Sequence, residues 1–370
     1  MPAHPAPGRH AAHAPAPEGC RRARLRRRAA AHGGAGVKVT DVPFERTSPP
    51  PVRAPGLADF RAGGAARRAF LRYHVTDRLT GVAQVGLYHV LSVLPPAAAA
   101  AIGATLGGLV ARLDWNRPYV EFMRRGMVRI RPELKGDRAG QDRLLRAWFR
   151  NAGIVRAHYP CIRKLVTPER LTVHNREIME EAKATGKPVY LVLVHLGNWE
   201  AAGLGAGVLQ LGTFFGIYEP QPNRYQNRLI YRLRRRHRLH AFPPDRHLPA
   251  LLRRFACQGG ENAVLFLDEV RDAENAFPLF GRPVKASSNL RFVLKLAALA
   301  EARVVPCHFV REGAGHISLR LLAHLPPPAR STNAEADATG HVLSGLFEAA
   351  IRENLEQWYM LKDMRLPPQE

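Results

Sequence analysis

The chain has 370 residues, of which 46% are hydrophobic, and a formal net charge of +24. This length suits one large α/β domain with additions, or two domains, and the hydrophobic content is ordinary for a globular protein. The excess of basic residues favours anionic partners, namely nucleic acid, anionic lipid headgroups or an acidic carrier protein. The aromatic content of only 8% does not suggest a base-stacking surface. Four scattered cysteines without a C-x-x-C pair predict a reducing compartment, and neither a disulfide framework nor a zinc module.

The N-terminal part divides into two segments by composition. Residues 1–65 are rich in Ala, Pro, Arg and Gly, which predicts a disordered basic tail, and no apolar core of a signal peptide follows its basic cluster. Residues 79–111 contain no Asp, Glu, Lys or Arg, and Pro95-Pro96 divides them into two halves that are each short for a membrane span. We therefore expect 66–113 to be a membrane-associated helical segment, either a kinked span or a hairpin in one leaflet. A pair of core helices is the alternative.

Residues 114–370 form the third predicted segment, an α/β domain. Residues 114–185 have a helical pattern, and beyond them strand and helix patterns alternate. Such alternation predicts a mostly parallel or mixed sheet with helices on both faces. The predicted strands are 188–194, 214–218, 263–267, 303–310 and 317–322, and the predicted helices are 201–211, 223–238, 290–298 and 335–362.

The first candidate site lies where the hydrophobic strand 188–194 ends. His195 follows this strand directly, and Glu200 comes five residues later. Histidine is a suitable general base near neutral pH, and a carboxylate on its second ring nitrogen fixes the tautomer. The backbone N–H groups of Gly197 and Asn198 lie in the turn between them, where they could stabilise an oxyanion. The alternative is a hydrogen-bonded structural histidine with an unrelated surface glutamate.

Two further features could take part in the same chemistry. The predicted helix 223–238 carries many arginines, which could clamp a phosphate group or simply form a solvated face. Asp268 follows the predicted strand 263–267, the usual site position in an open α/β sheet. Its alternatives are a helix cap or an ion pair with one of those arginines. The arginines of the helix are Arg224, Arg228, Arg232, Arg234, Arg235, Arg236 and Arg238.

Five blocks in a fixed order, 188–200, 216–220, 265–268, 277–283 and 302–306, resemble the late lauroyl/myristoyl acyltransferases of lipid A biosynthesis. That family also includes the phosphatidylinositol mannoside acyltransferases of actinobacteria, and the resemblance covers roughly residues 70–365. It implies a glycerolipid-acyltransferase-like α/β fold, an N-terminal membrane anchor and a location on the cytoplasmic face of the inner membrane. It also implies transfer of an acyl chain from acyl carrier protein or acyl-CoA to a hydroxyl of a glycolipid.

The resemblance also assigns individual residues. The family's H-x4-D/E motif falls on His195 and Glu200, and the acidic residue of its third block falls on Asp268. The arginine of the second block falls best on Arg234, with Arg232 and Arg235 as alternatives. The sequence contains no nucleotide-binding motif, nucleophile elbow or metal-ligand cluster. We therefore expect no cofactor and no metal, and the acyl thioester, acyl-ACP or acyl-CoA, is a co-substrate.

The departures from the family bear on the acceptor. Glu219 stands where a basic residue is more usual, and Lys362-Asp363-Met364 is closer to the mannoside-type members. We therefore expect an acyltransferase acting on a lipid A-type glycolipid precursor, with a mannosylated or amino lipid as the alternative acceptor. A catalytically inactive basic protein that binds membranes or nucleic acid is the alternative of another class, although nucleic acid is not an expected partner.

Overall fold

The computed structural model describes residues 37–271, 274–275, 277–285, 288–329 and 332–364. Its centre is a seven-stranded sheet in the order β1-β9-β8-β2-β5-β3-β4, in which all neighbours are parallel except β8 and β9. A separate antiparallel pair is formed by β6 and β7. The strands are β1 Leu171–His174, β2 Val189–Leu193, β3 Phe214–Ile217, β4 His240–Phe242, β5 Asn262–Phe266, β6 Val270–Arg271, β7 Glu274–Asn275, β8 Arg303–Arg311 and β9 Ile317–Leu321.

Helices cover both faces of this sheet. The first seven precede the strands, and the others alternate with them or follow them, which confirms the predicted mixed α/β fold. The helices are α1 Leu57–Ala62, α2 Gly64–Leu71, α3 Asp77–Val93, α4 Pro96–Asp114, α5 Pro118–Ile130, α6 Arg138–His158, α7 Ile162–Leu165, α8 Arg176–Ala184, α9 Ala202–Val208, α10 Arg224–His237, α11 Leu248–Arg254, α12 Asn289–Ala300 and α13 Asn333–Glu353.

The middle strand β2 divides the core into two layers. All five of its residues are buried, as expected for a strand between two parallel neighbours with helices on both faces. Tyr190 and Val192 point into one apolar cluster, whereas Val189, Leu191 and Leu193 point into the other. The continuous hydrophobic run therefore reflects burial on both faces of the sheet.

The structure corrects four expectations. Residues 37–65 are not a disordered tail, because they form two 3-10 turns and the helix α1, while residues 1–36 lie outside the described part of the chain. The helical pattern of 114–185 hid the edge strand β1, and the short strand β4 was also missed. The terminal helix ends at Glu353 instead of continuing to 362. There the side-chain amide of Asn354 donates a hydrogen bond to the carbonyl of Ala350, and the chain continues in 3-10 turns.

Helices α3 and α4 meet at Leu94-Pro95, the break that the sequence predicts. Helix α4 packs along α6 with the two backbones in contact, because glycines face each other. A Cβ on Gly103 would lie 2.6 Å from the carbonyl oxygen of Gly153, and one on Gly107 would collide with the carbonyl oxygen of Phe149. Only glycine permits this approach. Within the described residues, α4 is the one helix with the length and composition to cross a membrane.

A buried polar network joins the first turn of α4 to the loop after β2. Nη1 of Arg311 donates to Oδ1 of Asn198 at 2.7 Å, which leaves the Nδ2 amide of Asn198 to donate to Nδ1 of His158 at 2.9 Å. Nε2–H of His158 must then donate to the carbonyl of Pro96, at 3.1 Å. Burial and the charge of Arg311 lower the pKa of His158 to about 4. The network therefore requires a neutral histidine.

The α4–α6 contact predicts a sharp difference between two neighbouring glycines. We expect Gly107→Ala to lower the free energy of unfolding by about 1–3 kcal/mol, because the backbones of α4 and α6 must separate. Gly108→Ala is the matched control, since a Cβ there meets no atom within 4 Å. It should leave stability unchanged or raise it by up to about 1 kcal/mol, as alanine favours helix. Denaturant unfolding followed by circular dichroism measures both, and equal effects would contradict the packing.

The neutral His158 predicts a pH-dependent stability. Its folded pKa of about 4 lies below the ordinary value of 6.5. As the pH falls, His158 is therefore protonated in the unfolded chain before it is protonated in the folded chain. The free energy of unfolding falls by about 3 kcal/mol as the pH falls from 6.5 towards 4. His158→Gln keeps an acceptor and a donor but cannot titrate. The free energy of unfolding of the wild type should fall more steeply over this window than that of His158→Gln. Parallel curves would exclude this role for His158.

Candidate active site

The sheet register itself brings His195 and Asp268 together. Leu193 of β2 lies opposite Phe266 of β5, and both strands are parallel. Two residues beyond each strand end, His195 and Asp268 therefore lie side by side at the carboxyl edge of the sheet. This edge is where open α/β sheets place their sites.

Asp268 is completely buried and accepts hydrogen bonds from three N–H groups. Its Oδ1 lies 2.7 Å from Nδ1 of His195, and its Oδ2 accepts from the backbone N–H of His195 at 2.9 Å. The indole Nε1–H of Trp358 also donates to Oδ2, at 2.9 Å. These donors compensate the desolvation of the carboxylate. The carboxylate on Nδ1 of His195 is thus Asp268, and not Glu200 as the spacing of the sequence motif predicts.

His195 has the surroundings of a general base. Its ring stacks on Phe266 with centroids 4.4 Å apart and meets the edge of Trp199. Burial acts to lower the pKa of His195, but the charge and hydrogen bond of Asp268 outweigh it and raise that pKa, with further contributions from Glu269 and Glu200. The Asp268 contact places the proton on Nδ1, so Nε2 is an acceptor, and no hydrogen bond to it occurs within the described residues.

The C-terminal segment holds the loop that carries His195. The backbone N–H of Tyr359 donates to the carbonyl of His195 at 2.9 Å, and the carbonyl of Gln357 accepts from Gly197 at 3.2 Å. The Glu356-Gln357-Trp358 sequence therefore contributes to the site, a role that the sequence analysis did not assign. The distance of this segment along the chain from His195 gave no signal of the contact.

The structure separates the two predicted oxyanion donors. Gly197 has a φ of +57°, and a Cβ there would collide with the carbonyl of Phe309, so this position requires glycine. Its N–H is already committed to Gln357. The side chain of Asn198 is committed to Arg311 and His158. Within the described residues, the backbone N–H of Asn198 has no hydrogen-bond acceptor, so it is the free donor of the pair.

Glu200 lies beyond this contact, in the 3-10 turn Trp199–Ala201 that leads into α9. No hydrogen bond or ion pair joins it to His195 among the described residues. Desolvation raises the pKa of the Glu200 carboxyl, although the charges of His195 and Arg234 oppose this. Glu200 retains solvent access. Glu200 interacts with His195 and with Arg234 through its charge.

Arg234 is the one arginine of α10 that is buried, with 7% of its surface exposed. The Cζ atom of its guanidinium lies over the ring of Tyr218, 3.5 Å from the ring centroid, and its Nη1 donates to the carbonyl of Ala241 at 3.1 Å. Nε and Nη2 are buried without a hydrogen-bond partner in the described part of the chain. These two N–H groups form the side of a guanidinium that binds a carboxylate or phosphate with two hydrogen bonds.

No group of three or more His, Cys, Asp or Glu side chains suited to a metal ion occurs among the described residues. Of the six predicted site residues, His195, Asp268 and the loop of Gly197 and Asn198 lie together at the sheet edge. Glu200 is connected to Arg234 by charge alone. Cys161 and Cys307 are buried free thiols.

Sequence and structure comparisons relate this chain to known proteins. No curated protein sequence matches the chain. Among solved structures, the chain is similar to the 1-acyl-sn-glycerophosphate acyltransferase PlsC from Thermotoga maritima, with 16% identity, a TM-score of 0.31 and coverage of 68% of this chain and 98% of that one. The sequence profile of the bacterial lipid A biosynthesis acyltransferases matches residues 70–364. The chain therefore belongs to the bacterial lipid A biosynthesis acyltransferase family and is an acyltransferase.

Proposed function

We propose that this protein transfers a fatty acyl chain from acyl carrier protein, or from acyl-CoA, to a hydroxyl of a lipid A-type glycolipid precursor. The observation that carries the proposal is the 2.7 Å contact between Nδ1 of His195 and the buried carboxylate of Asp268, which leaves Nε2 as a free acceptor. A base held in this tautomer next to a sheet edge suits the removal of a proton from an attacking hydroxyl.

In the proposed reaction, Nε2 of His195 takes the proton of the acceptor hydroxyl as its oxygen attacks the thioester carbon. Asp268 stabilises the imidazolium that forms. The backbone N–H of Asn198 supports the negative charge on the carbonyl oxygen. The carbon–sulfur bond then breaks, His195 returns its proton to the departing thiolate, and the products are an ester and a free thiol.

Arg234 and Glu200 have roles in binding and charge. The two uncommitted N–H groups of Arg234 fit a phosphate oxygen pair, on the acceptor or on the donor's phosphopantetheine. We propose that Glu200 supports the protonated state of His195, because its carboxylate contributes to the raised pKa of the histidine. In this proposal Glu200 does not orient His195, because the carboxylate hydrogen-bonded to Nδ1 of His195 is that of Asp268.

The protein is expected to work at the cytoplasmic face of the inner membrane. Helices α3 and α4 expose a row of large apolar side chains, and α10 exposes arginines. Because α4 packs along α6, which carries exposed arginines, we propose that α3 and α4 lie in one leaflet and do not cross the bilayer. The apolar residues are Leu79, Val82, Leu87, Val90 and Val93 on α3, and Ile102, Leu106, Leu109, Val110 and Leu113 on α4.

A second acceptor class rests on two sequence departures. Glu219 follows Tyr218, the residue that stacks on Arg234, and it places a negative charge where the related enzymes more often have a positive one. Lys362-Asp363-Met364 is closer to the mannoside-type members. A mannosylated or amino lipid is therefore the alternative acceptor for the same acyl chemistry.

Mass spectrometry of glycolipids tests the reaction and the acceptor together. Lipids are compared between cells without the gene and cells complemented with the wild type or with His195→Ala. We expect one acyl chain of lipid A to be lost and to be restored by the wild type alone, because the variant has no base. A change confined to another glycolipid would move the acceptor to the alternative class. Full complementation by a folded His195→Ala protein would exclude the proposed base.

The pH dependence of kcat/KM tests the roles of the two carboxylates. The reaction needs neutral His195, and the raised pKa of this residue places the acid limb of the profile above pH 6.5. Asp268→Asn removes the charge that raises this pKa, so the limb should move to lower pH while kcat falls about 100- to 10,000-fold.

Glu200→Gln is the comparison variant in this experiment. It should also move the limb to lower pH, but by less, because Asp268 contributes more than Glu200 to the pKa of His195. Circular dichroism checks that both variants are folded. A limb that moves to higher pH in Asp268→Asn, or a larger shift in Glu200→Gln, would contradict this assignment of the two carboxylates.

A further inference from the structure

Residues 37–48 form a segment, here called the N-terminal strap, that precedes the family match at 70–364. The strap consists of two 3-10 turns, Val39–Asp41 and Phe44–Thr47. Val39 and Thr47 have no exposed surface, and Val42 belongs to the same apolar cluster as the core of the domain. The strap is therefore packed into the acyltransferase domain.

Three contacts fix the course of the strap. At its start, the backbone N–H of Val39 donates to the buried carboxylate of Glu261, at 3.2 Å. In its middle, the ring of Phe44 lies 5.4 Å from that of Tyr231 on α10 and 5.3 Å from that of His240 on β4. The strap thus lies across the edge strand β4 and against the helix that carries Arg234.

The end of the strap reaches Arg234 through Tyr218. The hydroxyl of Tyr218 donates a hydrogen bond to the carbonyl of Thr47 at 2.9 Å. The ring of the same tyrosine contacts the guanidinium of Arg234. The hydroxyl bond limits the position of the ring, and the ring packs against the guanidinium. Together with the hydrogen bond from Nη1 to the carbonyl of Ala241, this contact restrains the direction of the unpartnered Nε and Nη2.

We propose that the N-terminal strap is a positioning element for phosphate recognition, acting from Thr47 through Tyr218 on Arg234. The proposal rests on the function proposed above, in which Arg234 binds a phosphate of the acceptor or donor. It assigns a part in substrate affinity to residues that lie outside the family match. Thr47 and Tyr218 are positioning residues, because neither needs to touch the reacting atoms.

Binding of inorganic phosphate to the full-length protein tests the proposal without the need for turnover. Line broadening in ³¹P NMR gives the dissociation constant. Tyr218→Phe keeps the ring on Arg234 but removes the bond to Thr47, so we expect phosphate binding to weaken about 3- to 10-fold, as for one lost hydrogen bond. Phe44→Ala loosens the strap itself and should weaken binding by a similar factor. Arg234→Ala should abolish the specific broadening.

Matched controls separate positioning from charge and folding. Arg235→Ala removes the same charge from an exposed neighbour, and Glu45→Ala alters an exposed residue of the strap, so both should bind phosphate as the wild type does. Thermal unfolding checks that each variant is folded. In an Arg234→Ala background, Tyr218→Phe should have no further effect, because the strap acts through Arg234.

The outcomes distinguish the two proposals. If Tyr218→Phe binds phosphate like the wild type while Arg234→Ala does not, the strap has no positioning role. If neither variant alters binding, Arg234 is not the phosphate site and the strap inference is overturned with it. If the phosphate effects occur but no acyl transfer is found, the proposed function fails and the strap inference stands. In a working assay, Tyr218→Phe should raise KM for a phosphorylated acceptor, keep kcat, and have no effect on its dephosphorylated form.

Discussion

The buried carboxylate of Asp268 is the interaction on which the site depends. A carboxylate without exposed surface is costly unless N–H groups surround it. Here the donors come from distant segments: the backbone and ring of His195 after β2, and the indole of Trp358 near the C-terminus. One charge therefore specifies how the ends of β2 and β5 and the C-terminal segment meet. The same charge selects the tautomer of the base, so the requirements of folding and of catalysis coincide.

A second constraint connects the apolar helices to this site. Asn198 lies three residues after the base, and through His158 it is hydrogen-bonded to the carbonyl of Pro96 in the first turn of α4. Arg311 completes the network from β8. Because α4 also contacts the backbone of α6, the loop that carries the base and the exposed apolar surface belong to one packed unit. A shift of α4 would therefore be transmitted to the loop through hydrogen bonds.

Sequence patterns predicted the parts of the fold that depend on local order. The buried run of β2, the break at Pro95-Pro96 and the alternation of strands and helices are properties of neighbouring residues, and the structure confirms them. The pairing of His195 with its carboxylate does not depend on local sequence. Spacing along the chain favoured Glu200, whereas strand register brings Asp268 to the histidine from 73 residues away. The role of Trp358 also depends on tertiary contact, and β1 and β4 were too short for a clear periodicity.

Burial explains why Arg234 differs from the other arginines of its helix. The sequence presents seven similar residues, but only in the folded chain does one of them lie beneath the surface with two N–H groups unsatisfied. Such groups cost about 1–3 kcal/mol when they are left without acceptors. Tyr218 contacts the face of the guanidinium and Ala241 accepts from Nη1, but the N–H groups of Nε and Nη2 remain without acceptors among the described residues. An oxyanion that accepts from these two groups would remove this cost. The binding of a phosphorylated substrate and the stability of this region are then linked, because a ligand that binds the folded chain alone also stabilises it.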